Sequence, residues 1–149
     1  MHIITIQKRY TAMSKTRACI FVIIIACVNF GLMIWHLQLV RDLGLDATAG
    51  YATMTMLPVI IGSLFLLGVL LLWTRLFRIA GWLLMALFAI GFIIGGNEHF
   101  ISAGPFNVFT MVPNRWVLPF AISAVLLAAV EIVGLWSTFR VATLKSSLC

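Results

Sequence analysis

The chain has 149 residues, of which 63% are hydrophobic and 9% charged, and its formal net charge is +6. A soluble domain carries roughly half apolar and a quarter charged residues, so this chain has too few polar side chains to cover a water-soluble fold. These values exclude a soluble globular domain and indicate an integral membrane protein.

Four long apolar stretches predict four membrane-spanning helices, at about residues 18–40, 52–74, 79–97 and 117–139. A hydrocarbon core about 30 Å thick needs roughly 20 helical residues, and every stretch reaches or approaches that length. The predicted fold class is therefore all-α: one domain over residues 1–149, forming a polytopic antiparallel four-helix transmembrane bundle.

The first stretch reads as a retained membrane anchor. Its apolar run is longer than the core of a signal peptide, and it is not followed by a small-residue cleavage site. Met1 and Met13 are alternative starts of translation. Asn29 and His36 share one face of this helix because seven residues make about two turns, and Asp46 in the following turn can cap the second helix.

The second and third helices are joined by a short turn, Arg75 to Arg78, and must be antiparallel neighbours. The third helix carries Gly91 and Gly95 at a spacing that lets two helix backbones approach closely, either within the molecule or between copies.

The segment 100–113 is too short to cross a membrane and too apolar to lie free in water. We predict that it forms a lid at the outer membrane interface. Phe106, Phe109 and Trp116 would anchor this lid, since aromatic side chains favour that interface.

Eight of the ten Lys and Arg residues fall on one side of the predicted spans, and only Arg41 and Arg115 fall on the other. Because Lys and Arg in short loops stay in the cytosol, this bias predicts an inner (plasma) membrane protein with both termini cytoplasmic. The bias also explains the positive net charge. We therefore predict contact with membrane lipids and no nucleic-acid partner.

A cluster of polar residues is predicted at the outer membrane face, because antiparallel threading brings the ends of the first and third helices to one side. The favoured interpretation is a hydrogen-bonded plug in which Glu98 pairs with His36 or Arg115, and Asn97 or Asn107 ties the lid to the helix end. A small-molecule or lipid pocket is the alternative. The outer-pocket residues are His36, Asp42, Asn97, Glu98, His99 and Asn107.

Two further interpretations assign a cofactor to the same residues. His36 and His99 can supply nitrogen ligands to a metal such as Zn or Cu, with oxygen from Glu98. Asp42 is an alternative oxygen donor. The two histidines can instead hold a haem b between the first and third helices. The favoured plug needs no cofactor.

Within the membrane, Asn29 and Glu131 are the polar residues that need a partner. Glu131 lies in the cytoplasmic half of the fourth helix. It can form a structural hydrogen bond to Ser63 or Asn29, or take part in a proton path. The second interpretation makes the chain a small proton-coupled transporter.

The motifs GSLFLLG at 62–68, LLWTRL at 71–76 and AGW at 80–82 resemble the second and third helices of DoxX-like four-helix membrane proteins. The motif GLMIWH at 31–36 is similar to the first helix of that family, where an aromatic residue often precedes a polar one. The resemblance covers most of the chain and implies the four-helix membrane fold. Some members are linked to respiratory or thiol redox enzymes. The second helix lacks the acidic residue that many members carry.

The favoured function is a non-catalytic accessory subunit, or one that binds lipid or a small molecule, in a larger membrane complex or a homo-oligomer. The sequence shows no phosphate-binding loop, nucleophile–base pair or C-x-x-C pair that points to catalysis. One alternative is a redox, metal-dependent or haem-dependent membrane enzyme at the outer face, built from His36, Glu98 and His99. The other is the proton-coupled transporter.

Overall fold

The computed structural model describes residues 2–45 and 56–144 and contains four α-helices in these ranges. They are α1 (His2–Asp42), α2 (Leu57–Leu71), α3 (Phe77–Gly96) and α4 (Val117–Thr143). A π-helical turn, Asn97–Ile101, continues α3. The two ranges hold no strand, so the all-α prediction is confirmed for them.

Three of these helices are long and apolar enough to cross a membrane, over Lys15–Asp42, Phe77–Ile101 and Val117–Thr143. The 15 residues of α2 extend only about 22 Å, less than a hydrocarbon core needs. The described residues thus contain three helices of spanning length where the sequence predicted four. The start of the second predicted stretch and its expected cap, Asp46, lie outside the described residues.

The helices form a ring in which consecutive helices are neighbours and α4 closes back on α1. Neighbouring helices are antiparallel. For example, Gly81 of α3 meets Ala142, whereas Phe88, further along α3, meets Gly134, which comes earlier in α4. Because α1 and α3 both run opposite to α4, their C-terminal ends lie at the same end of the bundle.

The two ends of the bundle differ in their polar residues. At one end, which we call the histidine end, His36 near the end of α1 lies close to His99 in the π-helical turn. The other end, which we call the basic end, holds Lys15, Arg17, Arg75, Arg78 and Arg140. The Lys15 Nζ atom lies 3.8 Å from the centroid of the Phe77 ring, which shows that the α1 span and α3 start side by side.

The α2–α3 hairpin forms as predicted, and the most extensive interface between helices joins α3 and α4. Glycines allow this close approach. A Cβ atom on Gly81 would lie 2.8 Å from the backbone nitrogen of Ala142, and one on Gly134 would lie 2.6 Å from the ring of Phe88. In a membrane such packing holds helices together, because lipid is as apolar as the side chains.

Gly81→Ala should destabilise the bundle. The added Cβ atom has no room beside the Ala142 backbone, so α3 and α4 must move apart, at a cost of about 1–3 kcal/mol. Gly96→Ala is the matched control, because no atom lies within 4 Å of a Cβ placed there. Thermal unfolding of both variants in the same detergent measures the difference. Equal midpoints would contradict the close α3–α4 packing.

Candidate functional site

Two histidines from different helices meet at the histidine end. The ring centroids of His36 and His99 are 4.7 Å apart, and the ring planes are inclined at 65°. The Phe120 ring of α4 lies 4.6 Å from the ring of His36 and 5.4 Å from that of His99. His36 and Phe120 are both buried. His99 belongs to the π-helical turn, a distortion that is frequent at functional sites.

The hydrogen bonds of His36 define its tautomer. Its Nδ1 atom lies 2.7 Å from the Ser123 hydroxyl, and that hydroxyl donates its single hydrogen to the Phe120 carbonyl at 2.7 Å. The Nδ1 atom of His36 must therefore carry a hydrogen and donate it to Ser123, so in the neutral imidazole Nε2 has a free lone pair. Because Ser123 is completely buried, it is a structural partner of His36 and not an accessible nucleophile.

The tautomer of His99 follows in the same way. Its Nδ1 atom lies 3.2 Å from the Phe106 carbonyl oxygen, which can only accept a hydrogen bond, so Nδ1 is the donor. Among the hydrogen bonds of the described residues, none involves Nε2 of either histidine. In their neutral form, the two imidazoles therefore present two lone-pair nitrogens, which can accept a hydrogen bond or bind a metal.

The segment predicted as a lid, 100–113, folds back on the histidine end. The Val108 amide donates to the His99 carbonyl at 3.0 Å. Asn107 is buried and uses both ends of its side-chain amide. Its Nδ2 donates to the Ser102 carbonyl at 2.8 Å, and its Oδ1 accepts from the Phe109 amide at 2.9 Å. Both partners belong to the segment 100–113, so Asn107 holds two parts of the lid together, next to the end of the π-helical turn.

The aromatic residues of this segment take two different positions. Phe106 and Trp116 pack against Leu39, Val40 and Phe120 in the small hydrophobic core of the histidine end. The side chain of Phe109, in contrast, is 77% exposed. Two of the three expected interfacial anchors therefore hold the lid on the protein itself.

The acidic residues of the predicted outer pocket do not join the histidines. Asp42 is exposed and accepts a hydrogen bond from a glutamine on its own helix at 3.3 Å. Glu98 is exposed, and no ion pair joins it to His36 or Arg115 within the described parts of the chain. The predicted pairing of Glu98 with His36 or Arg115 does not form in the described structure, in which His36 contacts the Ser123 hydroxyl.

The histidine pair does not complete a metal or haem site. In the ranges 2–45 and 56–144, no group of three His, Cys, Asp or Glu side chains could hold a metal ion. Two axial imidazoles lie on opposite sides of a haem iron, each nitrogen about 2 Å from the metal, whereas these ring centroids are only 4.7 Å apart. The pair offers two nitrogen ligands, and its spacing does not fit a haem.

Asn29 and Glu131 lie deeper in the bundle. Asn29 is buried, and its Oδ1 is the one buried side-chain polar atom without a hydrogen-bond partner in the described residues. The Glu131 carboxyl group lies against Gly91 of α3, where the missing side chain leaves room for it. Ser63 donates its hydroxyl hydrogen to its own helix at 2.7 Å. Neither Ser63 nor Asn29 forms the predicted hydrogen bond to Glu131 in the described structure.

Phe120 and Ser123 belong to this site and were not predicted from the sequence. The sequence gives little indication that they belong to a site. A serine in an apolar helix often donates its hydroxyl hydrogen to a backbone carbonyl of the same helix, as Ser123 does. Their spacing of three residues does put them on one face of α4. Only the packing of α4 against α1 and the π-helical turn reveals that this face meets the two histidines.

Comparisons of the chain with protein-family models, with curated proteins and with solved structures find no match. The resemblance to DoxX-like proteins therefore stays a prediction. The function must therefore be inferred from the geometry of the histidine end, of Asn29 and Glu131, and of the helix surfaces.

Asn107→Ala should loosen the lid. The substitution leaves the Ser102 carbonyl and the Phe109 amide without partners, which costs about 1–3 kcal/mol. The Val108 amide donates to the His99 carbonyl, and its hydrogen exchange should become faster when the lid loosens. Asn97→Ala is the control, because Asn97 is exposed and its side chain forms no hydrogen bond in the described residues. Equal protection in both variants would show that Asn107 does not hold the lid.

Proposed function

We propose that the protein is a multipass inner-membrane protein that binds an anionic phospholipid, as a non-catalytic accessory subunit of a larger membrane assembly. The observation that carries this proposal is an apolar groove between α1 and α2, which extends along α2 from Pro58 to Val69. A phospholipid has the same two-part chemistry, because it joins a hydrocarbon chain to a negatively charged phosphate headgroup.

The groove is suited to a hydrocarbon chain. Its volume is about 490 Å³, and it lies between the two neighbouring helices that have the least extensive contact in the ring. Phe30, Phe65 and Leu66 are among the apolar residues that line it. Ser63 also lines the groove, but its hydroxyl hydrogen is donated to the backbone of α2. The groove therefore offers apolar contact and no free hydroxyl donor.

Two exposed arginines lie at the basic end, beyond the groove. Between the groove and that end, the Cys19 thiol of α1 lies 3.9 Å from the Leu72 carbonyl that follows α2. Arg17 and Arg75 lie two and three residues beyond this contact on their respective segments. Both arginine side chains are exposed and therefore accessible to a lipid headgroup at the basic end.

Charge complementarity favours an anionic headgroup. The other basic residues of this end already contact an aromatic ring or a backbone carbonyl, whereas Arg17 and Arg75 have no such partner in the described residues. Of the described carboxylates, Asp42 and Glu98 belong to the histidine end and Glu131 to the middle of α4. A phosphate group would therefore supply the missing negative charge.

An accessory role is supported by the surfaces of the helices. Only 22% of the residues in each spanning window are buried within the chain, which leaves a large apolar surface for lipids and neighbouring subunits. At the histidine end, the described hydrogen bonds of His99, Asn107 and Ser123 are made within the protein and close the lid on the bundle. Such internal contacts favour a structural role over catalysis.

We also propose that the basic end faces the cytosol, with both termini on that side, because Lys and Arg in short loops are retained there. A reporter that is active only outside the cytosol should be silent when fused to either terminus. The same reporter inserted after Ala103, an exposed residue of the lid, should be active. Activity at either terminus would contradict this orientation.

Native mass spectrometry of the full chain tests lipid binding. Phosphatidylglycerol should bind to the detergent-solubilised protein, and phosphatidylcholine should bind much more weakly. Replacing Arg17 and Arg75 together by Gln should weaken phosphatidylglycerol binding roughly thirtyfold, since each cation near an anionic phosphate contributes about 1 kcal/mol. The matched control replaces Arg41 and Arg115, the two arginines near the histidine end, and should leave binding unchanged.

Two results would overturn the lipid proposal. One is equal binding of the two phospholipids by the unchanged protein, because headgroup charge would then make no difference. The other is an equal loss of binding in the two double variants, because the effect would then follow net charge and not the position of the arginines. Detection of tightly bound partner chains in the same spectra would identify the assembly.

A further inference from the structure

The register of α1 against α4 brings Asn29 and Glu131 to the same depth in the bundle. Nδ1 of His36 and Oγ of Ser123 are in contact at 2.7 Å. Asn29 lies seven residues before His36, and Glu131 lies eight residues after Ser123. Because the helices are antiparallel and each residue adds about 1.5 Å, both residues lie roughly 11 Å from that contact, toward the basic end.

The Asn29 amide oxygen lacks a hydrogen-bond donor, and the Glu131 carboxyl group lacks a hydrogen-bond partner. Oδ1 of Asn29 is buried and accepts no hydrogen bond, which is a costly state in an apolar interior. The Glu131 carboxyl group lies in the space left by Gly91 and has no hydrogen-bond partner among the described residues. A carboxylate can only accept hydrogen bonds, whereas a protonated carboxylic acid has one O–H donor.

We propose that Glu131 and Asn29 together form a proton-binding site inside the bundle. Glu131 binds the proton, and the resulting O–H group donates to Oδ1 of Asn29. The proton removes the charge of the carboxylate and at the same time supplies the donor that Asn29 lacks. This site is separate from the lipid-binding groove, because neither Asn29 nor Glu131 lines the groove and the site uses none of the arginines of the basic end.

The surroundings of the pair favour a proton over an ion pair. The α2 residue at this depth is Ser63, which donates to its own helix, and the α3 residue that meets the carboxyl group is Gly91. Cys27 of α1 lines the groove on the outer side of the bundle. Of the described titratable and charged side chains, the next along α1 is His36. The next along α4 is Arg140, nine residues and roughly 13 Å from Glu131.

Labelling with a hydrophobic carbodiimide tests the protonation of Glu131, because these reagents react with protonated carboxyl groups in apolar surroundings. The full chain in phosphatidylcholine vesicles at neutral pH should form a single adduct, detected by mass spectrometry. Glu131→Gln should abolish the adduct, and Glu98→Gln, at an exposed carboxyl group, should retain it. An adduct confined to another carboxyl group would overturn the proposal, and so would complete protection by sodium ions, which would indicate a metal cation at the site.

Infrared spectroscopy tests the part played by Asn29. The unchanged protein should show the carbonyl band of a protonated carboxylic acid, and Glu131→Gln should remove it. Asn29→Leu should shift this band to higher frequency because the hydrogen bond is lost, whereas Asn97→Leu should leave it in place. The absence of the band, or a band that Asn29→Leu does not move, would overturn the proposal. Both measurements are independent of arginine-dependent lipid binding, so the two proposals can fail separately.

Discussion

Close packing of α3 against α4 is the constraint on which the rest of the structure depends. Apolar side chains gain little by leaving lipid, so helices in a membrane associate mainly through van der Waals contact, and close contact requires small residues. Gly81 and Gly134 supply it at the α3–α4 interface. This interface fixes how far α4 is rotated about its axis, and that rotation decides which of its side chains face the interior. Ser123 and Glu131 face the bundle for this reason.

The histidine end is organised by side chains that bind backbone carbonyl and amide groups lacking a helical hydrogen-bond partner. A π-helical turn and an irregular segment both expose carbonyl and amide groups, which must find partners when they are buried. His99 and Asn107 supply these partners, and the lid is thereby closed over the rings of His36 and Phe120. The bond to the Phe106 carbonyl also orients the His99 ring, whereas the Ser123 hydroxyl orients that of His36. The residue types of this polar cluster resemble those of a binding site. Its hydrogen bonds, however, mainly hold the lid closed on the bundle.

The two ends of the molecule suit different surroundings. The histidine end combines imidazole rings, a folded lid and exposed acidic residues. The basic end has Arg17 and Arg75 exposed without a described carboxylate nearby, and an apolar groove separates α1 from α2 between the two ends. Between the two ends, the Asn29 amide and the Glu131 carboxyl group are the polar groups at mid-depth that the backbone of their own helices does not satisfy. The unpaired arginines lead to the proposal of lipid binding. The unsatisfied groups of Asn29 and Glu131 lead to the proposal of proton binding.

The sequence by itself determined that the chain is helical and suited to a membrane, because apolar length and the scarcity of charge are local properties. It also indicated that His36 and His99 lie toward one end, since this follows from helix order alone. Only the tertiary structure decided that Ser123, and not Glu98, binds His36 and that Gly91 receives the Glu131 carboxyl group. It also showed that α2 ends at Leu71, before the predicted end at residue 74. These partners depend on helix rotation and on close contacts between glycines and distant side chains, which leave no periodic signal along the chain.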